Sequence, residues 1–156
     1  LSPMIGQRGA LAIDAARSNV YFRAAYHGPC AQCRWIWRVN YDVTGLTQII
    51  QANDSDALAL DLAADKIYFS DQPGGGNLKR ANLDGSNPET LLTMAGYDCY
   101  DFELDVPGNK IYMYLVGTDN WSSRTIARAA LDGSGFEILK EFQDTGEGYG
   151  LCFYGP

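Results

Sequence analysis

Leu58-Ala59-Leu60-Asp61, Lys66-Ile67-Tyr68-Phe69-Ser70-Asp71, Leu78-Lys79-Arg80-Ala81-Asn82-Leu83-Asp84-Gly85-Ser86 and Glu89-Thr90-Leu91-Leu92 follow one another in the middle of the chain. Each piece is short and rich in residues that suit a pleated, half-buried surface. The third ends in Asp-Gly-Ser, a strong turn signal. Four such runs separated by turns predict four antiparallel strands. The same order recurs on both sides. Asp101-Phe102-Glu103-Leu104-Asp105, Lys110-Ile111-Tyr112-Met113-Tyr114, Ile126–Leu131 with Asp132-Gly133-Ser134, and Glu137-Ile138-Leu139 form a later copy. Leu11-Ala12-Ile13-Asp14, Asn19-Val20-Tyr21-Phe22, Ile36–Asp42 and Thr47-Gln48-Ile49-Ile50 form an earlier one.

Three landmarks fix the alignment. Asp14, Asp61 and Asp105 are 47 and 44 residues apart, and Tyr21, Tyr68 and Tyr112 repeat that spacing. Arg38, Arg80 and Arg128 align once loop lengths are allowed for. No stretch shows a capped helical period. A unit of four strands recurring every 40–45 residues is the pattern of a propeller blade. The fold class predicted is therefore all-β, with three four-stranded blades spanning about 10–50, 57–93 and 100–141 and an extra C-terminal strand at 148–154.

The run Leu-Asp, Ile-Tyr-Phe-Ser-Asp, Arg-Ala-Asn-Leu-Asp-Gly-Ser resembles the YWTD repeat of low-density-lipoprotein-receptor propellers. Tyr68-Phe69-Ser70-Asp71 stands where that family has Tyr-Trp-Thr-Asp. The outer copies lack the Thr/Ser-Asp half, so the resemblance implies a blade-to-blade aspartate hydrogen bond at Asp71 alone. That family's rings have six blades, and this chain holds half of one. A blade has two apolar faces that neighbours must cover. Three blades leave two faces open, so a homodimer closing a six-bladed ring is expected.

Composition narrows function. The chain has 156 residues, is 46% hydrophobic and carries a formal net charge of −7. Such a surface repels phosphate backbones and anionic lipid, which argues against nucleic-acid partners. No apolar run is long enough to span a bilayer, so no membrane insertion is expected. Four cysteines, Cys30, Cys33, Cys99 and Cys152, suit two disulfides in a secreted, extracellular protein. The start at Leu1 suits a mature chain, though a trimmed one looks the same. A loop-stapling Cys30–Cys33 bridge is preferred to metal or redox chemistry: His27 is the one histidine, leaving zinc a ligand short, and no helix N-terminus lowers a thiol pKa. Cys99–Cys152 is the favoured second pairing, with other connectivities open.

No cofactor or metal is expected, and no catalytic constellation stands out. The acidic groups Asn53–Asp56 and Asp98, Asp101 and Glu103 read as solvated turns rather than calcium ligands. Gly74-Gly75-Gly76 reads as a hairpin loop. Aromatic residues that do not repeat are the candidate site. Tyr26 and His27 in one second-to-third-strand loop, Asp119, Asn120 and Trp121 in another, and Trp35 nearby combine flat rings with short polar groups, as sugar recognition requires. The chain also resembles small soluble invertebrate lectins that take galactose-containing glycans such as N-acetyllactosamine. That resemblance implies a multivalent lectin with glycans or glycoproteins as partners. The alternative is a non-catalytic protein-binding module of the lipoprotein-receptor type; in either case the rings also fit a role covering a blade edge or the subunit seam.

Overall fold

The computed structural model describes residues 10–25, 34–53, 57–71, 76–119 and 123–143. These residues form twelve strands. The first sheet holds β1 (Leu11–Asp14), β2 (Asn19–Ala25), β3 (Arg34–Asn40) and β4 (Thr47–Gln51). The second holds β5 (Leu58–Asp61), β6 (Lys66–Asp71), β7 (Gly76–Asn82) and β8 (Glu89–Met94). The third holds β9 (Tyr97–Asp105), β10 (Lys110–Gly117), β11 (Ser123–Ala129) and β12 (Glu137–Gln143). Each sheet is an antiparallel meander in chain order, with no helix among the described residues. β1 packs beside β5 and β5 beside β9, so first strands line the inside of the stack and β4, β8 and β12 its outer edge. This is the predicted all-β architecture of three four-stranded blades.

The repeated aspartates explain the sharp turns after each inner strand. Asp14 accepts from the Arg17 amide at 3.1 Å, Asp61 from the Ala63 and Ala64 amides at 3.1 Å, and Asp105 from the Gly108 amide at 2.9 Å. Each carboxylate satisfies backbone donors that the tight turn leaves unpaired. The turn before each outer strand repeats as well. Asp42 accepts from the Thr44 amide at 3.0 Å, Asp84 from that of Ser86 at 2.9 Å and Asp132 from that of Ser134 at 2.9 Å. In all three the hydroxyl of Thr44, Ser86 or Ser134 donates to the same carboxylate.

Alternation along the strands gives every sheet two faces. On the second sheet Leu58, Ile67, Phe69 and Ala81 point back at the first blade, in a core shared with Tyr21, Ile36, Ile50 and Ala52. Ala57, Tyr68, Leu78 and Met94 point forward, in a core shared with Phe102, Ile111, Met113, Leu115, Ala127 and Ala129 of the third. Cores therefore lie between blades and not within them. Asp98, Asp101 and Glu103, expected in a solvated turn, lie within β9 instead. That strand runs nine residues and absorbs a register shift at Tyr114/Leu115.

Candidate interaction surface

The two joints between blades are built alike. Between the first and second, Arg38 hydrogen-bonds Tyr21, and its charge reaches Asp84 on the next blade's turn. Between the second and third, Arg80 Nη1 donates to Tyr68 Oη and to the Leu131 carbonyl, both at 3.3 Å. Tyr68 donates to that same carbonyl at 3.3 Å, and the charge of Arg80 reaches Asp132. The Ser86 and Ser134 hydrogen bonds already hold Asp84 and Asp132 below the usual carboxylate range, and the neighbouring arginine adds to this. Both carboxylates stay ionised at neutral pH and serve as fixed anchors.

Close approach requires glycine at the centre of each docked turn. A Cβ on Gly85 would lie 2.2 Å from the Ile49 carbonyl oxygen, and one on Gly133 would lie 2.3 Å from that of Leu91. Both glycines have φ near +85°. The turn of one blade is thus pressed against the outer strand of the blade before it. Asp71 adds a further tie, accepting from the Asn53 amide at 2.9 Å and from Lys79 Nζ. Asn53 lies on the connection from β4 to the second blade, so this hydrogen bond ties Asp71 to the segment leaving the first blade rather than to the first blade itself.

At the two ends of the stack no further blade follows among the described residues. Cross-strand pairing puts Leu11, Phe22 and Trp37 on one row, and Ile13, Val20 and Val39 on another. Trp35, paired with Ala24, shares that face. These residues match Leu58, Phe69, Leu60, Ile67 and Ala81 of the second blade. Leu58 is 9% exposed, whereas Leu11 is 60% and Ile13 55% exposed. Tyr41 and Leu46 are exposed too, and match Leu83 and Phe136, which pack into the joints. At the far end Leu139 and Phe142 are exposed where Leu91 and Met94 meet the next blade. Most of the exposed large apolar side chains thus fall on the two faces that a further blade would cover.

The sequence-predicted site residues divide unevenly. Trp35 is half-buried in β3 of the first blade, and Asp119 is exposed just beyond β10 of the third. The middle blade separates them. Tyr26, His27, Cys30, Cys33, Asn120, Trp121 and Cys152 lie outside the described residues, as does the 148–154 segment. Cys99 is buried in the core between the second and third blades. Sequence reasoning counted Trp37 among the unrepeated aromatics but left it out of the candidate site; its indole Nε1 is buried with no hydrogen-bond partner among the described residues. It also passed over Val43, which stands where the other turns have Gly85 and Gly133. The signal for both was in the repeat alignment: they break a position that the other copies hold small or polar.

No family model and no curated protein matches the sequence. Solved structures do match in fold. A chain of a nidogen/laminin complex is 20% identical over 85% of this chain and 47% of its own length, with a TM-score of 0.68. A TolB-like protein of Agrobacterium tumefaciens is 16% identical over 81% of this chain and 46% of its own, with a TM-score of 0.65. An acylaminoacyl peptidase of Pyrococcus horikoshii gives 12%, 86%, 25% and 0.56. The chain spans less than half the length of these structures, and what they share with it is the propeller-type stacking of four-stranded blades.

Proposed function

We propose that this chain is a non-catalytic, protein-binding propeller module whose contact surface is the open face of the first blade. One observation carries the reading. Where the second and third blades hold Asn77 and Lys79 or Thr125 and Ala127, the first holds Trp35 and Trp37, beside Leu11, Ile13 and Phe22. Two half-buried tryptophans beside the exposed Leu11 and Ile13 form an apolar sheet face of the kind that anchors a protein interface. The likeness to a chain of a nidogen/laminin complex supports this reading, since that protein is found bound to another. Asp14, Asp42, Asp84 and Asp132 are held below the usual carboxylate range by the hydrogen bonds that build turns, whereas burial and the neighbouring Asp101 push the Glu103 carboxyl up. A secreted, disulfide-bonded protein is part of the same proposal.

Glycan binding is the competing reading, resting on Tyr26, His27, Trp35, Asp119, Asn120 and Trp121. One experiment separates the two. The wild-type chain and Ile13→Lys are assayed side by side against purified proteins, this chain among them, and on a glycan array with lactose competition. Saturable protein binding that Ile13→Lys abolishes supports the module. Lactose-competed glycan binding that Ile13→Lys leaves intact, with no protein bound, overturns it in favour of a lectin.

A further inference from the structure

The two ends of the stack carry opposite halves of one joint. The third blade has the grip: Arg128 hydrogen-bonds Tyr112 and pairs with Glu137 at 2.5 Å, as Arg80 bonds Tyr68 and pairs with Glu89. The first blade has the turn: Asp42 and Thr44 repeat the hydrogen bonds of Asp84–Ser86 and Asp132–Ser134. Within the chain, Arg38 faces the Asp84 turn and Arg80 the Asp132 turn. By the same succession Arg128 calls for an Asp turn on a following blade, and among the described residues the remaining turn of this kind is Asp42. Each end thus has the charge and the apolar rows that the other end lacks.

We propose that a second copy of this chain covers both ends at once, the Tyr112–Arg128 pair of each copy gripping the Asp42–Thr44 turn of the other to close a six-bladed ring. The inference rests on the protein-binding reading and names the partner. A two-fold axis makes the two seams identical, so one geometry closes the ring. Each seam would cover Leu11, Ile13, Tyr41 and Leu46 of one copy, and Leu139 and Phe142 of the other.

Three residues set the seam apart from the internal joints. Val43 has φ +66° and is 80% exposed. A Cβ at the matching glycines would lie 2.2–2.3 Å from the facing carbonyl, so the seam must sit further apart there. Asp101 and Glu103 stand in β9 where the second blade has Ala57, just before β5, and Ala59 within it, adding carboxylates that a tight seam must desolvate. Self-association is therefore weaker than the in-chain joints, and these residues set its strength.

The test is sedimentation equilibrium on the whole chain. Arg128→Glu and Asp42→Lys are each expected to remain single, by opposing like charges at the seam. Mixed together they regain a dimer, since one seam then pairs Arg128 with Asp42 and the other Glu with Lys. Val43→Gly and Glu103→Ala restore the internal-joint residues and are each expected to tighten the dimer about tenfold. Circular dichroism of each variant separates lost association from lost folding. A dimer unaffected by these changes overturns the ring. A wild-type chain that stays single at every concentration also overturns it, even where the first-blade face still binds another protein; that binding would leave the protein-binding reading standing.

Discussion

Replacing Gly85 by alanine tests whether blade-to-blade docking holds this fold together. Two effects add. Alanine at φ +86° adopts the left-handed region at a cost of about 1–2 kcal/mol. Its Cβ would also lie 2.2 Å from the Ile49 carbonyl oxygen and 2.8 Å from the carbonyl carbon. Both are backbone atoms in the neighbouring blade, so no rotamer relieves the contact and the blades must separate, at about 1–3 kcal/mol. The sum of roughly 2–5 kcal/mol is a large part of an ordinary stability of about 5–15 kcal/mol. Gly96 supplies the control, with φ +83° and nothing within 4 Å of its added Cβ. Gly96→Ala pays the conformational cost alone. Thermal unfolding should therefore place Gly85→Ala below Gly96→Ala by about 2–12 °C, at about 2–4 °C per kcal/mol for a domain of this size. Gly133→Ala should behave as Gly85→Ala does, since its Cβ would meet the Leu91 carbonyl at 2.3 Å. Equal losses at positions 85 and 96 would refute the close docking of turn against outer strand.

Other tests follow from the same contacts. Arg80→Met keeps the apolar stem but loses the hydrogen bonds to Tyr68, Leu131 and Glu89, and should destabilise by about 1–3 kcal/mol in urea unfolding with an unchanged m-value. Asp71→Leu removes a buried acceptor and should cost a similar amount, because it strands the Asn53 amide and the half-buried Lys79. The carboxylates of Asp14, Asp42, Asp84 and Asp132 are depressed in the folded chain. Their contribution is therefore present above the unfolded aspartate value of about 3.9 and is lost as pH falls through the lower folded values. Stability measured from neutral pH downwards should hold to about pH 4 and then decline; a decline complete by pH 5 would contradict that assignment.

The blade architecture was legible because each landmark has a physical job that recurs. Asp14, Asp61 and Asp105 cap the same turn, and Asp42, Asp84 and Asp132 another. Tyr21 and Tyr68 are buried in successive joints, while Tyr112, at the same register, is only half-buried, with no fourth blade beside it among the described residues. The end faces were legible only in outline. Apolar alternation marks Leu11, Ile13 and Phe22 as one face of a sheet, but a sequence shows the same pattern whether or not a neighbour covers it. Placing Asp98 inside β9 needed the strand's true length, which the Asp101–Asp105 pattern understates. The aromatic loop residues were singled out because they do not repeat, and lack of repetition alone does not say what a ring touches. Trp35 makes the point: read as a stacking surface beside a loop, it is half-buried on the first blade's open sheet face.

Small-angle scattering with an absolute mass tests most directly whether the stack's two ends answer each other. A closed pair of chains predicts twice the 17.1 kDa chain mass and a radius of gyration of about 20 Å, the value for a compact body of that size. A mass of one chain across the whole concentration range, with a radius near 15 Å, would contradict the closure of one copy by another.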